Sequence, residues 1–188
     1  MKPALVLIDL QNDYFPGGRM ELVGIEAAAI QAHKVLLAFR KTGLPIFHVQ
    51  HVALGPDATF FRPDTPGVEI HQPLQPLPKE PVVQKHFPNS FRKTGLLEVL
   101  GRAGIEDLVI CGAMSHMCID STTRAAFDYG LRCQVIHDAC ATCNLVFEGL
   151  EVPAAQVHAA FMAALRARYA QVLSVKQFLD AFPLGLKD

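Results

Sequence analysis

Residues 107–130 read DLVICGAMSHMCIDSTTRAAFDYG, and the reading of this stretch decides how the rest of the chain is understood. Asp107-Leu108-Val109-Ile110-Cys111 is a short apolar run of the kind that forms a buried strand. Small residues and threonines follow and end at Asp128-Tyr129-Gly130, which reads as a helix with a glycine stop. Cys118 therefore falls where a strand gives way to a helix. A thiol there meets unpaired backbone N–H groups and the positive end of a helix dipole, both of which favour thiolate. Cysteine is also a common small core residue, so this segment alone leaves a packing role and a nucleophilic role both open.

Upstream, Ala4 to Ile8 is a continuous apolar run closed by Asp9, as expected of a parallel strand buried on both faces. A polar, turn-rich loop spans Asp9 to Gly18, and an alanine- and leucine-rich helix is expected from Gly24 to Thr42, stopped at Gly43. Pro45 to Val52 forms the second strand. Residues 53–81 then lose all periodicity, interrupted by Pro56, Pro63, Pro66, Pro73, Pro76, Pro78 and Pro81. Irregular excursions of this length in compact domains usually serve as lids or oligomer contacts. Val82-Val83-Gln84 is a short third strand running into Lys85, and a helix from about Thr94 to Ala103 leads back to the strand before Cys118.

Downstream, Leu131 to Ile136 is the fifth strand, followed by His137-Asp138-Ala139-Cys140 in a loop. Pro153 opens a helix to about Arg168, proline being favoured in the first helical turn. Gln171-Val172-Leu173 is the sixth strand, and Val175 to Phe182 a last helix. Strands alternate with helices throughout, so the fold class is α/β: a three-layer αβα, Rossmann-like domain with a six-stranded parallel sheet over residues 1–188. With strand order 3-2-1-4-5-6, strands one and four flank the switch point where open parallel sheets bind ligands. Asp9, Lys85 and Cys118 each stand at or just beyond a strand end. An acid, a cation and a thiol are a working set for proton transfer, charge stabilisation and attack.

The totals narrow the function classes. A net charge of −1 gives no electrostatic footprint for nucleic acid or a membrane surface. The first apolar run is too short for a signal peptide, and no span approaches transmembrane length. Five cysteines without framework spacing are expected to be reduced thiols of a cytoplasmic protein. Cys140-Ala141-Thr142-Cys143 is a CxxC, but a redox pair normally opens a helix directly after a strand, and no second CxxC completes a zinc site. No G-x-G-x-x-G follows the first strand, where Asp9-Leu10-Gln11-Asn12 stands instead, so dinucleotide binding is not expected.

Three stretches, LVLIDLQNDYF at 5–15, VVQKHFPNSF at 82–91 and VICGAMSHMCIDSTTRAAFDYG at 109–130, resemble the isochorismatase-like cysteine hydrolases, and the likeness runs on through YAQVLSVKQFLDAF at 169–182. That superfamily includes nicotinamidases, N-carbamoylsarcosine amidase, ureidoacrylate amidohydrolase and isochorismatase. The resemblance implies Asp9 as acid–base, Lys85 as catalytic lysine and Cys118 as nucleophile. It also implies a cis peptide at Ala113–Met114 and an oxyanion hole from the N–H groups of Met114 and Cys118. Carbon–nitrogen hydrolysis through a thioester is the expected chemistry. Vinyl-ether cleavage of the isochorismatase type, which needs no thiol, is the alternative, and a thiol-redox or non-catalytic binding protein stands behind it. Asn12, Phe15, His86, Phe87, Phe91 and His116 are pocket candidates, with core packing as the plainer role for each aromatic. His116, two residues before Cys118, also raises a Cys–His pairing. Ser115 and Thr122 read as supports for the turn and helix.

Nicotinamidases of this family hold a metal with an Asp-x-His pair after strand two. Here that place reads His48-Val49-Gln50-His51, with the two histidines on opposite faces of an extended strand. No metal and no other cofactor is expected, although His71, Asp57 and Asp64 lie in the excursion nearby. The expected partner is a small-molecule substrate, and the expected assembly a dimeric or tetrameric homo-oligomer.

Overall fold

The first apolar run, Ala4 to Ile8, exposes almost nothing to solvent because it becomes the middle of a sheet. In the computed structural model, which describes residues 2–182, it forms β1 (Pro3–Ile8). β2 (Ile46–His51) pairs with it on one side and β4 (Asp107–Ala113) on the other, both parallel. β3 (Val82–Lys85) and β5 (Arg132–Ala141) extend the sheet outward, and β8 (Gln171–Leu173) closes it in the order β3-β2-β1-β4-β5-β8. This is the order expected from sequence. Its last member is eighth in the chain because an antiparallel hairpin, β6 (Leu145–Phe147) with β7 (Leu150–Val152), intervenes.

Sequence reading missed that hairpin because its strands are three residues each and leave Val146, Phe147 and Leu150 exposed. Its turn residues Glu148 and Gly149 both take positive φ, as a two-residue hairpin turn requires, but Glu-Gly is a weak signal for one.

Helices flank the sheet in two layers. α1 (Ile25–Thr42) buries Ile25, Ala28, Ala29, Ala32, Val35, Leu36 and Phe39, a stripe at helical spacing, and stops at Gly43 in the left-handed region. Its Phe39 meets Phe178 and Phe182 at α5 (Val175–Ala181) and its C-terminal end. α3 (Asp120–Asp128) and α4 (Ala154–Arg168) pack together, with Arg124 and Phe127 against Tyr169. The short α2 is trimmed to Leu96–Arg102. No helix among the described residues is long and apolar enough to cross a membrane.

Two boundaries differ from expectation in ways that matter to the site. β5 does not end at Ile136. A register shift between Ile110 and Gly112 lets it continue, so Cys140 pairs with Gly112 and Ala141 with Ala113. Cys140 is therefore a buried strand residue and not part of a loop. The excursion of residues 53–81 is irregular but tied down. Buried Asp13 accepts the N–H of Phe61 at 2.6 Å and of Arg19 at 3.2 Å, while Asn12 Nδ2 donates to Pro66 O. Phe61 and Leu74 of this excursion are buried.

Candidate active site

Asp9 follows directly from β1, its N–H donating to Val49 O at 2.9 Å and its φ of 53 turning the chain out of the strand. Lys85 is the last residue of β3, two strands away in the sheet. Strands sit about 4.8 Å apart, so only a long, flexible side chain crosses from β3 to the end of β1. Lys85 does so: its Nζ lies 2.7 Å from Asp9 Oδ2. From β4, the cis peptide Ala113–Met114 leads into one π-helical turn, Ser115–Ile119, that carries Cys118. Cys118 Sγ accepts a hydrogen bond from Lys85 Nζ at 3.2 Å. The three side chains proposed from sequence are thus in one cluster, Asp9 and Lys85 with no exposed surface and Cys118 with 5%.

The turn leaves room for this. Gly112 has φ 131, and Met114 O accepts the N–H groups of Met117 at 3.0 Å and Ile119 at 3.2 Å. Those two bonds straddle Cys118, whose own N–H is not among them. Ser115 Oγ donates to Ala141 O at 3.3 Å and meets His158 Nδ1 at 2.8 Å, and Thr122 Oγ1 accepts from Ser90 N at 3.0 Å. Ser115 and Thr122 are the supports of turn and helix that the sequence indicated.

Charge in the cluster is set by burial and by neighbours. Burial opposes the Lys85 ammonium, but Asp9 and Cys118 outweigh it and keep Lys85 firmly protonated. Burial pushes the Cys118 thiol well up, Asp9 adds to this, and Lys85 only partly offsets it. Burial and Asp9 thus favour the neutral thiol, against the thiolate that the helix terminus was expected to favour. Both Asp9 oxygens are buried and receive no aligned hydrogen bond among the described residues, so the facing ammonium is what compensates them.

One residue that sequence reading did not assign to the cluster joins it, and a second is buried near enough to feel its charges. His51 Nδ1 lies 3.0 Å from Lys85 Nζ, and burial together with the ammonium lowers its imidazole to about 4. Tyr14 is buried beside Phe60 and Phe61, and its phenol is pushed up by burial and then by Asp9 and Cys118. Its place five residues after Asp9 carries no pattern that would have singled it out.

The tentative pocket residues have other partners. Asn12 Oδ1 meets His71 Nδ1 at 2.7 Å, and Phe15 stacks on the same His71 ring at 3.5 Å, so both hold the excursion. Phe87 lies under Arg92, Phe91 packs edge-on against Tyr129, and exposed His86 meets Val52 O at 2.7 Å. His116 Nδ1 is 2.6 Å from Thr142 Oγ1, which gives it a partner other than Cys118. Nor do His48, His51 and His71 form one ligand set: His48 meets Glu80 at 2.9 Å, while His51 and His71 have the partners just given. The Asp9, His51 and Cys118 donor atoms do lie within 4.8 Å of one another. In the CxxC, Cys140 Sγ points to Ile136 O and Cys143 Sγ to Met114 Sδ, and both thiols are free.

The chain and its fold have known relatives. The family model for the Isochorismatase domain matches residues 3–177. The isochorismatase family protein YddQ of Bacillus subtilis is 54% identical over 179 residues, covering 95% of this chain and 99% of that one. Streptothricin hydrolase of Streptomyces noursei is 36% identical over 143 residues, 76% of this chain and 50% of its own length. The solved structure of a protein from Oleispira antarctica, assigned as an isochorismatase hydrolase, superimposes with a TM-score of 0.93 at 52% identity, over 96% of this chain and 97% of that one. The chain belongs to the isochorismatase-like family of hydrolases.

Proposed function

We propose that this hydrolase cleaves a carbon–nitrogen bond in a small amide, ureido or N-carbamoyl compound, with Cys118 as nucleophile, Asp9 as acid–base and Lys85 as the compensating cation. One observation carries the reading: Lys85 Nζ stands between Asp9 Oδ2 at 2.7 Å and Cys118 Sγ at 3.2 Å, out of solvent. Relatives named for such chemistry, an N-carbamoylsarcosine amidase of Thermoplasma acidophilum and a ureidoacrylate amidohydrolase of Pseudomonas savastanoi, support it.

Because the resting thiol is neutral, the proton leaves as the substrate arrives. Asp9 takes it, and the nascent thiolate keeps the Lys85 ammonium as its counter-charge. Sulfur adds to the carbonyl carbon, and the Met114 and Cys118 N–H groups hold the oxyanion. Asp9 returns its proton to the departing nitrogen, the carbon–nitrogen bond breaks, and ammonia or an amine leaves a thioester on Cys118. Asp9 then takes a proton from water, hydroxide adds to the thioester, and collapse releases the acid while the thiol regains its proton.

Ammonia release across a panel of primary amides, ureido acids and N-carbamoyl compounds tests the proposal. Wild type is expected to turn over at least one class, with Cys118→Ala and Asp9→Asn inactive on it. Full turnover by Cys118→Ala would overturn the thioester route.

A further inference from the structure

An ammonium group has three N–H donors and no acceptor. Around Lys85 Nζ stand Asp9 Oδ2 at 2.7 Å as its ion-pair partner, and His51 Nδ1 at 3.0 Å and Cys118 Sγ at 3.2 Å as hydrogen-bond acceptors. Facing a donor-only group, His51 Nδ1 must accept, so its ring is neutral and its own proton is on Nε2. We infer that His51 is a positioning residue of this site, its imidazole accepting a Lys85 N–H and fixing Nζ where it serves Asp9 and Cys118 together. The inference rests on the proposed roles of those three residues.

The fold builds this contact. In the parallel pairing of β2 with β3, His51 is the direct register partner of Lys85, so both side chains leave the sheet on the same face. The His51 backbone is clamped on both sides by fully buried Gln11: Oε1 accepts His51 N–H at 2.7 Å, and Nε2 donates to His51 O at 2.9 Å. Gln11 Nε2 also donates to Val68 O at 2.7 Å, which ties the same point to the excursion. A lysine has a flexible stem and three rotatable donors, and nothing in its own strand fixes where the head points. The donor atoms of Asp9, His51 and Cys118, all within 4.8 Å of one another, enclose that head as ligands enclose a metal ion. The low imidazole basicity agrees with this placement: burial lowers it most, and the facing ammonium lowers it further.

Iodoacetamide alkylation of Cys118 at fixed pH, followed by peptide mass mapping, reads the contact without an identified substrate. Wild type is compared with Lys85→Met, His51→Leu, His51→Gln and His51→Asn, with half-buried Cys143 as the internal reference. Lys85→Met and His51→Leu are each expected to slow Cys118 by about tenfold, the size of one lost hydrogen bond to a charged group. His51→Gln places its amide at the Nε2 position and should behave like Leu, which keeps the comparison available if Leu does not fold. His51→Asn offers an oxygen at the Nδ1 position and should recover most of the wild-type rate. Wild-type rates in Leu and Gln beside a slowed Lys85→Met would overturn the positioning role and leave the Cys118 chemistry standing. Equal slowing in Asn and Gln would reduce His51 to a structural residue. A wild-type rate in Lys85→Met would instead count against Lys85 itself.

Discussion

A Cβ on Gly112 would stand 2.0 Å from the carbonyl oxygen of Ile8. These two residues are register partners of β4 and β1. Immediately after Ile8 comes Asp9, and one residue beyond Gly112 the cis peptide Ala113–Met114 leads to Cys118. The close approach of two backbones is thus what lets the acid and the thiol share one cluster.

Gly112→Ala should therefore fail on two counts, the overlap with Ile8 and a φ of 131 that L side chains rarely adopt. A loss of about 3 kcal/mol or more is expected, strain and overpacking each supplying part. Urea unfolding measures it. A variant as stable and as active as wild type would show that the two strands can separate without cost.

Asp9 and Lys85 are both fully buried, so removing either alone strands the other's charge. Lys85→Met and Asp9→Asn are each expected to lose about 3–5 kcal/mol, whereas the double variant should regain most of that stability while staying inactive. Additive losses in the double-mutant cycle would mean that the ion pair is not what balances these charges.

Acid should loosen the far end of the excursion. Burial raises the Glu80 carboxyl, but Arg40 at 2.8 Å through two nitrogens, the Leu77 N–H and His48 outweigh it and bring it to about 2. A depressed carboxyl stabilises the fold above its unfolded value and loses that stabilisation as pH falls through its folded one. The window thus runs from 4.5 down to about 2. His48, lowered chiefly by burial, acts in the same direction as pH falls below 6.5. In unfolding free energy measured against pH, the gap between wild type and Glu80→Gln should close across the Glu80 window. A constant gap would refute the linkage.

Much of the fold was open to reading because its signals are local. Apolar runs at Ala4–Ile8 and Asp107–Cys111, the helix stop at Gly43 and the alternation of strand with helix need no knowledge of distant residues. Asp9, Lys85 and Cys118 were legible as candidates for a related reason: each is polar or reactive at or just beyond the end of a strand. The resemblance then supplied the cis peptide, which the structure places at Ala113–Met114. The hairpin at Leu145–Val152 and the extension of β5 past its bulge escaped because short exposed strands and register shifts leave no periodic trace.

What sequence alone determined is the α/β architecture with a parallel sheet, since apolar runs buried on both faces alternate with helices, and it also marked Asp9, Lys85 and Cys118 as strand-end candidates. Tertiary structure decided the rest of the site. It placed His51 against Lys85, spent Asn12 and Phe15 on the excursion, and turned Phe87 and Phe91 toward Arg92 and Tyr129. It also kept the Cys118 thiol neutral where a helix terminus alone would have favoured thiolate. The physical reason is one of range. A side chain's preference for strand or core is written in its neighbours along the chain. Its hydrogen-bond partner and its charge state depend on which strands lie beside it and how much water they exclude.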